Sequence, residues 1–411
     1  MNKIIKIALL IVIFPLLVNA SGGGSVYSRY GVGERVNYFS ARSLSLGALG
    51  VSSISSSGIN LINPAANYKL SLTRFEASFS FENLDLQDSE NSAVYNNSGF
   101  SGFSVGIPLQ RDWGMTMVFG VTPYTSVGYE VITDEKDDYT ERFIGDGGIS
   151  KLYLSGTYKL PYDIILGASL DYYTGTISNQ SVVEFVDANK VDGGFENKRK
   201  YQGAGVSLGV ISPDVAGFVN IEKLTDIHLA LSYSLVSDLK TTDMLLTGKA
   251  GEFEKVYSNE VKSNIPSQLG IGFNLKWDKD YLILFDYIYS SWKDYEFNSE
   301  SYEYMKNLSR LGIGFEYQKS DINQYSTIGE QMSYRAGFSY EKKQLVINGN
   351  EIDQLGVHAG FSFPTGFGSN IDFGFMYGIR GTTDNGLLKE NFFQADLTLS
   401  FGELWFVRQD R

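Results

Sequence analysis

The 411-residue chain contains no cysteine. Disulfides, thiolate metal centres and lipid attachment to a cysteine at an export-cleavage site are therefore excluded. Only two histidines occur, His228 and His358. The acidic clusters, Asp134, Glu135, Asp137, Asp138 and Glu141, and then Asp294, Glu296, Glu300 and Glu303, lack the ordered Asp/Asn spacing of a calcium loop. No metal and no cofactor is expected. Positive charge is in deficit, with 34 Lys and Arg against 47 Asp and Glu and a formal net charge of −13, a balance that repels nucleic acid. Beyond the first twenty residues no apolar run approaches the roughly 20 residues that a spanning helix needs, which excludes a helical membrane protein.

What the chain does have points to a different membrane architecture. Lys3 and Lys6 precede an apolar run over residues 7–18, and Val18-Asn19-Ala20 resembles a small-residue cleavage site. Residues 1–20 therefore read as a Sec signal peptide. The remainder holds most of 44 Gly, 27 Tyr and 27 Phe, with only 8 Pro in the whole chain, which suits a barrel with aromatic girdles. Fourteen stretches alternate between apolar and polar residues. Tight turns follow the second, fourth, eighth and twelfth, at Gln110-Arg111-Asp112, Pro161-Tyr162-Asp163, Asp278-Lys279-Asp280 and residues 365–369. Long polar segments at 83–96, 133–146, 179–197 and 241–263 are expected as loops. An even strand count with short turns at one end and long loops at the other is the layout of an outer-membrane barrel.

Parity fixes which side chains face outward. In the last strand Phe393, Ala395, Leu397, Leu399 and Phe401 alternate with Gln394, Asp396, Thr398 and Ser400. Leu269, Ile271, Phe273 and Leu275 likewise alternate with Gly270, Gly272, Asn274 and Lys276. A soluble sandwich also alternates, but its strands usually run about 5–6 residues, and many here run to twelve or more. The same parity turns Glu76, Asp286, Glu316, Arg335, Asp372, Arg380 and Asp396 inward, where charges must be paired or solvated. The ninth strand carries Leu282, Leu284 and Ile288 on the face of Asp286. Those residues line an inner tunnel or pack against whatever fills the lumen, and the sequence leaves both readings open. Both histidines are inward by parity, so no His–Ser arrangement faces lipid and no enzyme is expected. Residues 21–67, rich in Ser, Gly and Ala and ending in Asn63-Pro64-Ala65, read as a tightly packed element in a confined space, the alternative being a disordered periplasmic tail.

These features together resemble the FadL-like outer-membrane transporters of long-chain fatty acids and other hydrophobic compounds. The resemblance rests on the small-residue amino segment closing on Asn63-Pro64-Ala65, the stretch Ser263-Asn264-Ile265-Pro266-Ser267-Gln268-Leu269-Gly270 followed by Asp286-Tyr287 and Ser291-Trp292, and Gly381-Thr382-Thr383-Asp384-Asn385-Gly386 near the end. The last of these, with Tyr27-Ser28-Arg29-Tyr30-Gly31, is similar to Bacteroidetes-type members. Ser52 to Ser57 lacks the acidic residue that often precedes the family's Asn-Pro-Ala, and the chain continues past Trp405-Phe406.

The resemblance implies an all-β fold, a 14-stranded antiparallel transmembrane β-barrel with an N-terminal lumenal hatch. The expected division is signal peptide 1–20, hatch 21–67, barrel 68–407 and a periplasmic tail at 408–411. It implies passive uptake of a hydrophobic small molecule across a Gram-negative outer membrane, with capture at extracellular loops and lateral release where the third strand kinks. Gly120 and Pro123 are the candidate kink, although Pro123 could instead mark that strand's extracellular rim. Expected partners are outer-membrane lipid, the apolar ligand and the barrel-assembly machinery during insertion, with the protein itself a monomer. A shuttle of the type IX secretion system, which shares this barrel and holds protein cargo, is the alternative.

Overall fold

The computed structural model describes residues 24–404 apart from 37–38, 134–137, 188, 220, 250, 323–324 and 367. The proposed signal peptide and the residues from Trp405 onward lie outside the described residues. Fourteen antiparallel strands close into a barrel. They are β1 (Thr73–Gln87), β2 (Ser92–Gln110), β3 (Met115–Ile132), β4 (Tyr139–Lys159), β5 (Ile165–Phe185) and β6 (Gly193–Ile211), then β7 in two pieces (Leu224–Val236 and Leu239–Lys249) and β8 in two pieces (Glu252–Asn264 and Gln268–Trp277). The circuit continues through β9 (Tyr281–Ser290), β10 (Leu308–Gln318), β11 (Ser333–Ile347), β12 (Asn350–Gly366), β13 (Ser369–Arg380) and β14 (Lys389–Glu403). Closure is complete along the seam, where β14 pairs with β1 from Glu403 opposite Thr73 to Lys389 opposite Gln87. No helix of the described residues is long and apolar enough to cross a membrane.

Alternation has the physical meaning that the sequence suggests. On β5, Leu170 is 66% exposed while its neighbour Asp171 is 4% exposed. Leu208, Leu229, Ile271 and Phe393 point out in the same way, and Ser207, His228, Asn274 and Asp396 are buried on the lumenal side. An outer surface this apolar is stable only against hydrocarbon, because a water-soluble monomer rarely exposes contiguous apolar patches beyond a few hundred Å². Tight turns lie where the sequence places them. Asp278 and Lys279 both adopt positive φ (49° and 58°), which matches the twist of the strands they join.

The long polar segments differ from expectation. Residues 83–96 are a hairpin in which β1 runs to Gln87 and β2 resumes at Ser92, and residues 179–197 and 241–263 are likewise strand on both sides of a short turn. Above the membrane neither face needs to be apolar, so the two-residue pattern fades while backbone pairing continues. β4 and β5 thus reach 21 residues each, about 70 Å at roughly 3.3 Å per residue, against the roughly 9–11 residues needed to span hydrocarbon. Residues 68–72 belong to a 3-10 turn (Pro64–Lys69) and its link to β1 rather than to the wall.

A charge on the lipid face should be costly only within the bilayer. Ile271→Arg is expected to lower the unfolding free energy by about 2–4 kcal/mol, and Val256→Arg, on the part of β8 beyond the membrane, by less than about 1 kcal/mol. Urea titration in lipid vesicles measures both, and equal effects would contradict the assignment of the lipid-facing band.

Candidate functional site: the lumen and a break in the wall

Residues 24–72 meet inward-facing groups of strands on all sides of the barrel, and glycine makes the close approach feasible. A Cβ on Gly337 of β11 would collide with the backbone nitrogen of Gly47, and one on Gly209 of β6 with the Asn63 side chain. The short helix α1 (Ala41–Ser45) starts at Ser40, whose hydroxyl accepts from Ser43 N at 3.3 Å, and its first amide donates to Thr398 Oγ1 at 2.8 Å. Asn63 closes the segment. Its Oδ1 accepts from Ala65 N at 3.1 Å, its Nδ2 donates to Val51 O at 2.8 Å, and Pro64 occupies the first turn position, where no amide hydrogen is required.

Apart from Asp396, the inward charges divide into groups that each grip this segment. Asp286 accepts from the backbone amides of Gly50, Val51 and Ser52 at 2.9, 2.7 and 3.0 Å and from the Ser52 hydroxyl at 2.6 Å. Arg335 bridges Glu316 at 2.5 Å and Asp372 at 2.6 Å, and Glu316 also receives Arg42 of α1 at 3.1 Å. Arg380 bridges Glu390 and Glu34, both at 2.7 Å, while Lys343 joins Glu34 at 2.7 Å and Glu341 at 3.3 Å. Glu76 accepts from Ile59 N at 3.3 Å and from Ser400 Oγ at 3.1 Å. Asp396 stands apart, receiving Gln394 Nε2 at 2.9 Å. A buried charge without a partner is expensive, so these contacts hold the segment in one register.

Leu282, Leu284 and Ile288 are also against this segment. Leu284 and Leu282 cluster with Leu46 and Leu49, and Ile288 clusters with Val51, Ala65 and Ala66. Ile288 in addition borders a central cavity of about 90 Å³, and Leu282 borders one of about 400 Å³ among residues of the turn beside Asp280. The histidines hold structure. His228 pairs with Asp226 at 2.8 Å and with Ser212 O at 2.8 Å, and His358 Nε2 meets Ser339 Oγ at 2.8 Å.

The wall is interrupted between β2 and β3. Their pairing runs up to Phe103 opposite Val121 and stops, and from Ser92 to Phe100 β2 pairs with β1 alone. Gly120 lies just below this point, where a Cβ would collide with Phe103 O. Pro123 lies just above it, mid-strand, and the β3–β4 register slips between Pro123 and Thr125. Proline cannot donate a ladder hydrogen bond, so it suits an interrupted edge. The freed edge of β3 is taken by a two-residue strand, Glu34–Arg35, which pairs with Ser126 and Thr125, and Val36 N donates to Tyr124 O at 3.1 Å. Behind the break lies a cavity of about 370 Å³, which shares Arg35, Val36 and Pro123 with the central one. Arg35 stacks 4.1 Å from the Tyr124 ring centre and donates to its hydroxyl at 2.8 Å and to Gln268 at 3.1 Å. Parity would have placed Arg310, Glu341 and Glu390 in the lumen had it been applied there. Glu34 and Arg42 carry no periodic signal, because the segment that holds them is irregular.

The sequence model of the BamG family matches residues 1–410. No curated protein sequence matches. Among solved structures, the toluene transporter TbuX of Ralstonia pickettii superposes with a TM-score of 0.58 at 15% identity, covering 89% of this chain and 99% of that one. The Pseudomonas putida toluene transporter TodX gives 0.58 at 15% over 92% and 100%. A Pseudomonas aeruginosa FadL homologue gives 0.60 at 10% over 90% and 98%. The fold is thus FadL-like, on a sequence far diverged from those neighbours.

Asp286 is the most heavily used of these anchors. Asp286→Ala leaves three backbone donors without their acceptor, at roughly 1–3 kcal/mol each, and is expected to raise single-channel conductance in planar bilayers and to expose Arg42 to trypsin. Asp286→Asn, which keeps one acceptor oxygen, should fall between. Unchanged conductance and unchanged cleavage would contradict the anchoring role.

Proposed function

We propose that this chain, which belongs to the BamG family, is an outer-membrane transport protein that passes hydrophobic compounds sideways through its wall. The observation that carries this reading is the break above Phe103 and Val121, backed by a cavity that adjoins the central one. An apolar solute gains about 0.8 kcal/mol per CH₂ on moving into hydrocarbon, so a side exit is downhill. An axial path past Arg335, Glu316 and Asp372 is not, since those ion pairs would have to be disrupted. Residues 24–67 act as the plug, Gly120 and Pro123 as the bend that frees the β3 edge, and the Glu34–Arg35 strand as the shutter lying on it. Leu282 and Ile288 supply apolar margins to the cavities, and Leu284 holds the plug. The toluene transporters of similar fold support passage of an apolar compound.

A second reading, a barrel that holds a protein partner, is favoured by one observation. Beyond the membrane β8 pairs on one side with β7, and among the described residues nothing pairs with its other edge from Glu252 to Val261, which is the geometry of strand addition.

Because the chain has no native cysteine, the break can be bridged cleanly. Ser98→Cys on β2 and Ser126→Cys on β3, which both line the cavity, joined by a bis-methanethiosulfonate reagent, should cut dodecanoate uptake into proteoliposomes by at least tenfold, and reduction should restore it. Uptake indifferent to the bridge would overturn lateral passage. Stoichiometric co-purification of a protein whose binding is lost on deleting the 252–261 edge would favour the second reading.

A further inference from the structure

The cavity behind the wall break is lined in a way that a bare hydrocarbon does not require. Resting on the transport reading, we propose that it receives the head of an amphiphile whose headgroup is uncharged and rich in hydroxyls, as in an alkyl glycoside, while the alkyl chain leaves between β2 and β3. The cavity is about 370 Å³, within the roughly 300–1,000 Å³ of small-molecule sites.

Two features select this headgroup. First, its lining contains four basic and four acidic side chains, and the bases are already engaged. Lys343 and Arg380 reach Glu34 at 2.7 Å each, Arg310 reaches Glu341 at 3.8 Å, and Arg35 is held by Tyr124 and Gln268. With four bases against four acids the lining carries no net positive charge to draw in a carboxylate or phosphate. Second, the rest of the polar lining is hydroxyl and amide, including Ser80, Asn97, Ser101, Gln354 and Gln394, which both donate and accept, as a polyol does.

The chain's way out is also visible. Gly99 lies on β2 at the cavity, opposite Ser80 of β1 and so on the inward face, and nothing stands within 4 Å of where its Cβ would be. The next residue, Phe100, faces outward and is 41% exposed. Polar space inside and apolar surface outside meet within one residue, which matches the two ends of an amphiphile.

Three probes share a twelve-carbon chain and differ in the head: dodecyl β-maltoside, dodecanoate and dodecanol. Titration calorimetry of the full chain in amphipol, with each probe below its micelle concentration, should show the maltoside binding at least tenfold more tightly than the other two. Gly99→Trp, which fills the cavity, should weaken it by at least tenfold, and Asn97→Trp serves as a second filler should the first not yield a heat-modifiable barrel. Dodecanoate or dodecanol binding as tightly as the maltoside would overturn the headgroup class and leave the transport reading standing. No binding of any probe would sink both. Maltoside binding indifferent to the fillers would overturn the site.

Discussion

Backbone pairing in hydrocarbon dictates this structure. No water is present there to satisfy an amide or a carbonyl, so every such group must find its partner within the protein, and a sheet can achieve this only by closing on itself. β14 returning to β1 along its full length is that closure. The amphipathic strands follow, because one side of a closed wall touches acyl chains and the other encloses a lumen. A cylinder of this strand number leaves a lumen wide enough to need filling.

The filling is supplied by the chain's own amino-terminal part and obeys the same accounting. Irregular backbone inside a barrel has donors and acceptors that no ladder satisfies. Inward side chains satisfy them instead: Asp286 takes three successive amides, Glu76 takes Ile59 N, and Arg310 donates to Gly47 O at 3.1 Å. Glycines on the wall set the depth to which the segment seats, since Gly337 and Gly209 leave no room for a side chain. Where the wall abandons its own pairing, above Phe103 and Val121, the same segment provides the Glu34–Arg35 strand that covers the freed edge of β3. The break in pairing and the strand that covers it are thus joined in one segment, and Glu34 ties that strand to Arg380 and Lys343.

Most of the wall was legible in the sequence, because lipid enforces a period of two. β3 and the start of β9 fall on the residues that alternation indicates, and the turns at 110–112, 161–163 and 278–280 separate strands as expected. Legibility ended where lipid ends. Residues 179–197 and 241–263 form paired hairpins without an apolar face, so nothing in their pattern distinguished strand from loop. The lumenal charges Arg335, Asp372 and Arg380 were readable by parity, yet their partners Glu34 and Arg42 were not, since an irregular segment has no period. The ambiguity over Leu282, Leu284 and Ile288 had the same origin: a lumenal apolar residue looks alike in sequence whether it faces a guest or Leu46 and Val51.

Single cysteines placed one at a time along β14 from Phe393 to Phe401 and labelled with a nitroxide test the closed, occupied barrel most directly. Spin relaxation by oxygen, which partitions into lipid, should peak at 393, 395, 397, 399 and 401. At 394, 396, 398 and 400 it should be low, and relaxation by a polar nickel chelate should also be low, because the lumen there is filled. Relaxation without a two-residue period, or strong access of the chelate to the even-numbered positions, would contradict the account.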